Sequence, residues 1–516
     1  MSSHGRTLQN SKEPRERTAG DDACELIVSL TRNDLSKPCY LFLSATIALG
    51  KGEVGPIVNQ TLLDYYRLSV DSFPPSTTAN TTMSGDIGFF QFGPGNICYG
   101  QCHAGVAHDL EGSGAFDALK LVQFDGQTVQ LPFAFTGVVE NLRRERYQQK
   151  TLGTGGPFIG SDSSRRFYYF VRDYLPSSIR RRLQKIYFRD WKELPFPAWP
   201  VDFTVDKLHE AYLRLCMEAT GTKRVPFIWF WPEGAPSCLI LTHDVETRAG
   251  RDFTSQLMDL DDSYGIKASF QVVPENRYEV PDEYVGEIRS RGFEFNVHDL
   301  NHDGGLYLEH QEFLRRAARI NAYIHRYGSR GFRAGSMYRN QDWYDAFDFS
   351  FDMSVPNVAH LDPMRGGCCT VMPYFVGKIL ELPVTTSQDY TLFRILNDYS
   401  IDLWKQQTAL TRGENGLISI LTHPDYLIEE RARRVYSSLL EHLRTTIDRE
   451  KIWAALPGDV DLWWRARHQM KLVRKDNGWE IIGPEKERAR LAYAILDEGR
   501  LLYELEGVPS QEHLAR

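Results

Sequence analysis

Short apolar runs alternate with amphipathic stretches along residues 237–457, and the rhythm changes on either side of them. The runs "SCLILT", "KASFQVV", "FEFNV", "GFRAG", "FSFDMS", "ILELPV", "GLISILT" and "IWAALP" read as buried strands. Between them, "FTSQLMDLDDSYG", "DEYVGEIRSRG", residues 309–327, "QDWYDAFD", "IDLWKQQTAL" and "EERARRVYSSLLEHLRTTI" read as helices. About eight strands alternating with helices over roughly 220 residues predict parallel strands joined by crossovers. That is an α/β architecture of the (β/α) barrel kind, with room for imperfection.

The flanks follow other patterns. Residues 1–23 are polar and predict a disordered tail. Residues 24–139 mix β-prone runs such as "ELIVSL" and "ALKLVQF" with many glycines, as in a β-rich or irregular α/β domain. Residues 140–236 form a basic and aromatic helical connector, including "NLRRERYQQK", "SSRRFYYFVRDYL" and "SSIRRRLQKIYFRDW". Helices that pack their aromatics inward and solvate their arginines explain that composition, ahead of an anionic or lipid surface. Residues 458–516 add a helix, "DVDLWWRARHQM", and a small β appendage with no identifiable chemistry.

Composition changes this picture little. A chain of 516 residues with 42% hydrophobic and 25% charged positions is globular and long enough for two or three domains. A net charge of −8 weighs against general nucleic-acid binding. The longest apolar candidate, "CYLFLSATIALG" at 39–50, falls short of the roughly 18 residues of a membrane span. The amino terminus lacks the apolar core of a secretory signal, so the expectation is a cytoplasmic protein without a transmembrane segment. The sequons at Asn59 and Asn80 then read as chance matches. The eight cysteines show no disulfide framework. Cys98, Cys102 and His103 have neither zinc nor haem spacing, and Cys368 and Cys369 read as buried thiols.

Candidate chemistry falls at strand ends. "CLILT" leads to His243, Asp244, Val245 and Glu246; "FEFNV" leads to His298 and His302. "GF" leads to Arg333, "FSF" to Asp352, and "GLISILT" to His423 and Asp425. In a parallel barrel all these carboxyl ends open on one face, where active sites are built. Two imidazoles and one carboxylate suit a catalytic zinc-type centre with an open position. In extended backbone Asp244 and Glu246 point the same way, so one can bind metal while the other serves as a base. His423 has the residue type to protonate a departing nitrogen, and Arg333 could hold a neighbouring carboxylate ionised. His243, His310, His325 and His360 read as structural histidines.

At these residues the chain resembles the polysaccharide deacetylase family, the NodB-homology carbohydrate esterases. "HDLNH" matches the family's H-[ST]-x-x-H motif with Asp299 in place of Ser or Thr. "THDVE" stands where T-F-D-D-G is common, with Val245 at the usual metal aspartate and an acid one position later, a D-x-E variant. "FRAG" matches the arginine motif without its proline, and "LTH" at 421–423 matches the last motif. The likeness covers roughly 237–456 and implies a distorted (β/α) barrel. It implies Glu246, His298 and His302 as metal ligands, Asp244 as general base, His423 as general acid, and Arg333 and Asp352 as supporting groups. The metal would be divalent: zinc first, with cobalt, manganese or nickel as alternatives. Asp389, Asp398 and Asp402 compete for the family's fourth motif. The implied activity is metal-dependent removal of an acetyl group from an N-acetylated saccharide or sugar-conjugate precursor, with metal-bound water as nucleophile. A hydrolase of another C–N bond, such as a cyclic amide or imide, is the alternative enzyme. A non-catalytic saccharide-binding protein is the alternative from another class. Oligomeric state stays open.

Overall fold

Nine strands make the central sheet of the computed structural model, which describes residues 57–69, 76–77, 85–110, 116–148, 186–476 and 478–507. The polar tail, "ELIVSL", the apolar run at 39–50, Asn80 and most of the arginine-rich connector lie outside the described residues. Among the described residues no helix is long and apolar enough to cross a membrane.

The strands are β1 (Cys238–Val245), β2 (Ser269–Val272), β3 (Glu294–His298), β4 (Gly331–Arg333), β5 (Phe351–Asp352), β6 (Tyr374–Val376), β7 (Ile379–Glu381), β8 (Leu417–Thr422) and β9 (Trp453–Ala454). Their order is β6-β7-β5-β4-β3-β2-β1-β8, with β9 also on β1. Only β6 runs antiparallel, against β7, which leaves eight parallel strands. Helices Arg248–Ser263, Asp282–Ser290, His310–Tyr327, Asp402–Gly413 and Glu430–Glu450 supply crossovers. "QDWYDAFD", expected as a helix, forms only a 3₁₀ turn, Gln341–Ala346, because Phe347 returns to extended backbone. The result is a distorted (β/α) barrel.

The distortion has a chemical cause. After β7, Pro383 has no N–H to give to a ladder, and Val384 bonds back to Val355 instead. Threonine hydroxyls then bridge to β8: Thr385 Oγ1 donates to the Leu417 carbonyl at 2.8 Å and accepts from Ser419 N at 2.9 Å. Thr386 Oγ1 donates to the Ser419 carbonyl at 2.8 Å. Side chains thus stand in for a backbone ladder at this seam.

Alternation fixes which side chains face inward. Leu239, Leu241 and Val245 of β1 pack with Phe253, Leu257 and Tyr436 of the flanking helices. Cys238 and Ile240 belong instead to the core shared with the chain's two flanks, including Phe89, Tyr212 and Trp463. Thr242 and Asp244 continue that inward set, two residues apart. The flanks meet each other as well: strand Leu491–Asp497 pairs antiparallel with both Arg500–Leu505 and Arg224–Ile228.

Candidate metal centre and active site

The chain after β3 turns too sharply for a helix. Asp299 and His302 both sit at φ +54°, a left-handed conformation that non-glycine residues adopt at a cost. Arg277, which no sequence motif singles out, fixes this loop by donating to the carbonyls of Asn301 (3.1 Å) and His302 (2.5 Å). A Cβ on Gly335 would lie 2.4 Å from Asp299 Oδ2 and 3.0 Å from the His302 ring, so a larger residue there would displace both side chains. The strained turn brings the two imidazole rings to 4.9 Å between centroids.

Glu246 meets them from β1. One donor atom each from Glu246, His298 and His302 lies within 4.8 Å of the others. His302 Nε2 is 2.9 Å and His298 Nε2 3.8 Å from Glu246 Oε1. Both Nε2 atoms are buried, yet neither completes a hydrogen bond. His298 Nδ1 lies 3.0 Å from the Arg333 carbonyl, which fixes the proton on Nδ1 and leaves the Nε2 lone pair free. Two such orphaned imidazole nitrogens beside a carboxylate are the donor set of a divalent cation, and the residues fit one.

Asp244 adjoins this cage. Its Oδ1 accepts from Arg333 Nη1 at 2.8 Å, and its Oδ2 lies 3.7 Å from His298 Nε2. Arg333 is completely buried and is held by the Met353 carbonyl and Thr242 Oγ1. Burial alone would raise the Asp244 carboxyl, but Arg333, then His298 and His423, bring it below the ordinary carboxylate value.

His423 follows β8. Its Nδ1 is 2.6 Å from Asp389 Oδ1, its backbone N–H donates to Asp389 Oδ2 at 2.8 Å, and its Nε2 lies 3.5 Å from Glu246 Oε1. Burial would lower this imidazole, yet Asp389 and then Glu246 push it well above the usual histidine value. Of the three acids that competed, Asp389 is the one that orients His423.

Asp352 requires a correction. In register, Val297 pairs with Phe332, Phe332 with Asp352, and Asp352 with Glu381. Paired residues share a face, and Val297 and Phe332 belong to the outward cluster while Phe351 and Met353 point inward. Asp352 therefore faces away from Asp244 and Arg333, accepting from Tyr344 (2.5 Å) and Ser354 (2.7 Å). The strand end is right and the parity is wrong by one residue.

Asp352 and Glu381 instead form a buried carboxyl pair. Burial raises both, and Asp352 raises Glu381 further, so the folded protein retains a proton that the unfolded chain releases. The pair's contribution to stability is full below the unfolded carboxyl value and is lost as pH climbs through the raised folded value. Glu381→Gln keeps a donor toward Asp352 without a titrating group. Urea unfolding between about pH 5 and 9 should show a shallower loss of stability in that variant than in wild type. Identical slopes would mean that the pair does not hold the proton.

His243 is structural, as its surroundings show: Thr422 Oγ1 at 2.8 Å and Asp261 Oδ2 at 3.0 Å bracket its ring on the outward face.

No family model matches the chain, and no curated protein matches it. Solved structures do. A protein of Mycobacterium smegmatis named as a polysaccharide deacetylase aligns at 17% identity over 48% of this chain and 98% of its own, TM-score 0.38. The peptidoglycan deacetylase PdaC of Bacillus subtilis aligns at 13% identity over 45% and 92%, TM-score 0.30. A pseudoenzyme of the CE4 family from Bacillus anthracis aligns at 16% identity over 44% and 65%, TM-score 0.28. The chain is similar to polysaccharide deacetylases.

Proposed function

We propose that this protein is a metal-dependent deacetylase acting on an N-acetylated saccharide. The observation that carries the reading is the convergence of Glu246, His298 and His302 beside two oppositely tuned groups, Asp244 and His423. Pairs of titratable groups pushed apart by their surroundings mark acid and base assignments. Glu246, His298 and His302 would hold the cation, and zinc suits two imidazoles with one carboxylate. A divalent cation bound there supplies Lewis acidity toward the amide carbonyl and toward water.

The residues divide the remaining work. Arg333 engages Asp244 Oδ1 and keeps the carboxylate ionised, which leaves Oδ2 free to take a proton from the attacking water. Asp389 engages His423 Nδ1 and keeps the imidazole protonated, which leaves Nε2 to deliver a proton to the departing nitrogen as the C–N bond breaks. Acetate and a free amine result. The Tyr426 ring lies 5.2 Å from His423 and stacks on Tyr390 at 5.9 Å. Such a ring face beside the acid suits a sugar.

The test is elemental analysis of the purified protein with acetate release from N-acetylglucosamine oligomers, before and after chelation. About one metal per chain, loss of release on chelation and recovery with zinc or cobalt are expected. Release that survives complete metal removal would overturn the reading.

A further inference from the structure

A cleft of about 510 Å³ opens far from the cage, walled by Tyr65, Arg143, Tyr374, Phe375, Trp464 and His468. Helix Pro457–Gln469 contributes two of these residues. That helix sits at the amino ends of the strands: its Asp461 accepts from Ser350 Oγ at 2.7 Å and pairs with Arg330, residues just ahead of β5 and β4. The metal cage is built on the carboxyl ends, so the cleft is a separate place. Its volume falls within the range of small-molecule sites.

The charges around it do not balance. The acids in its wall are already matched, Asp64 by Arg67 at 2.8 Å and Glu140 by Arg144 at 2.9 Å. Arg465, also in the wall, is bonded to Asp461. Arg143 is different. Its carbonyl is fixed by Gln341 (2.7 Å) and Tyr374 (3.2 Å), and its guanidinium lies 5.1 Å over the Tyr374 ring. Its Nε is buried without a hydrogen bond, and no carboxylate pairs with the guanidinium among the described residues. The nearby Asp206 accepts from Tyr65, Thr370 and Val371 instead.

Behind the wall, Arg467 is 1% exposed, and among the described residues it donates to the carbonyls of Tyr65, Ile228 and Trp229 and pairs with no carboxylate. It lies 5.1 Å from the Trp464 ring. A buried cation without a counter-charge is costly, and an anion arriving in the cleft offsets that cost. His468, exposed at the rim, has its ring 5.0 Å from Phe375.

We propose that this cleft binds a phosphate or pyrophosphate ester carrying a ring, with Arg143 and His468 meeting the phosphate and Phe375 and Trp464 flanking the ring. Guanidinium groups recognise phosphate oxygens through charge-assisted hydrogen bonds, and aromatic walls accept either a nucleobase or a sugar face. The assignment stands independently of the deacetylase reading, since it uses none of the residues at the cage.

The experiment is calorimetric titration of the full chain with inorganic pyrophosphate, uridine diphosphate and glucose 1-phosphate. Saturable binding is expected, weakened about tenfold or more by Arg143→Gln. His468→Gln, at an exposed position, should weaken it as well. Glu246→Gln should leave it unchanged. Tighter binding of uridine diphosphate than of glucose 1-phosphate assigns the rings to a base, and the reverse assigns them to a sugar; both support the proposal. Absence of saturable binding by all three probes overturns it. So does binding that Glu246→Gln abolishes and Arg143→Gln does not, which would place the phosphate at the metal cage.

Discussion

Asp244→Asn is expected to lower kcat for acetate release by about 10²–10⁴-fold while the metal content stays at the wild-type level. Asparagine keeps an oxygen for Arg333 Nη1 and the shape of the site, and loses only the ability to take a proton. The metal cage does not include Asp244, so binding of the cation is the internal control: His302→Ala should lose metal and activity together, Asp244→Asn activity alone. One side effect accompanies the substitution. Arg333 is completely buried and its charge is answered by Asp244, so an amide partner leaves it uncompensated at a cost of about 3–5 kcal/mol. Rates are therefore compared well below the variant's unfolding midpoint, measured by circular dichroism. A variant that is folded, metal-loaded and close to wild type in kcat would remove Asp244 from the role of base.

Much of this site was legible because strands obey parity. Asp244 and Glu246 were expected to face one way from their spacing alone, and the structure sets both beside His298. The imidazoles of "HDLNH" were expected to act together, and a left-handed turn brings them there. Parity also explains the failure at Asp352. "FSFDMS" gives a strand end but not its phase relative to the neighbouring strands, and β5 is too short for its own alternation to decide. Register with Phe332 decides it, and register is a property of the assembled sheet.

The choice of Asp389 over Asp398 and Asp402 stayed open for another reason. The segment before Asp389, Thr385–Gln388, is tied to β8 by hydroxyl groups rather than a ladder, so no apolar alternation announces a strand there. Arg277 reaches its carbonyl partners from a loop 25 residues upstream of His302, a separation that no local motif encodes. The cleft around Arg143 joins residues near 65, 143, 374 and 464 and becomes visible only when the flanks are folded against the barrel.

Asp389→Asn should shift the alkaline limb of the pH–kcat profile to lower pH and cut kcat at about pH 8 by about 10²-fold. The sign follows from what holds the imidazole. Burial favours neutral His423, and the Asp389 carboxylate overrides it, keeping the folded pKa well above the usual histidine value. Removing that charge lets burial dominate, so His423 gives up its proton as pH rises through a lower value and the leaving nitrogen departs unprotonated. Activity should recover toward acid pH, until protonation of Asp244 imposes the opposite limb below the ordinary carboxylate range. The asparagine side chain can still accept from the His423 backbone N–H, so the turn into Pro424 is retained and the effect is electrostatic rather than a collapse of the loop. Substrate choice separates the two. An aryl acetate whose phenolate leaves without help needs no proton from His423, so the variant should hydrolyse it at nearly the wild-type rate while failing on N-acetylglucosamine oligomers. Equal losses on both substrates, or an unmoved alkaline limb, would take the His423–Asp389 pair out of the proton path.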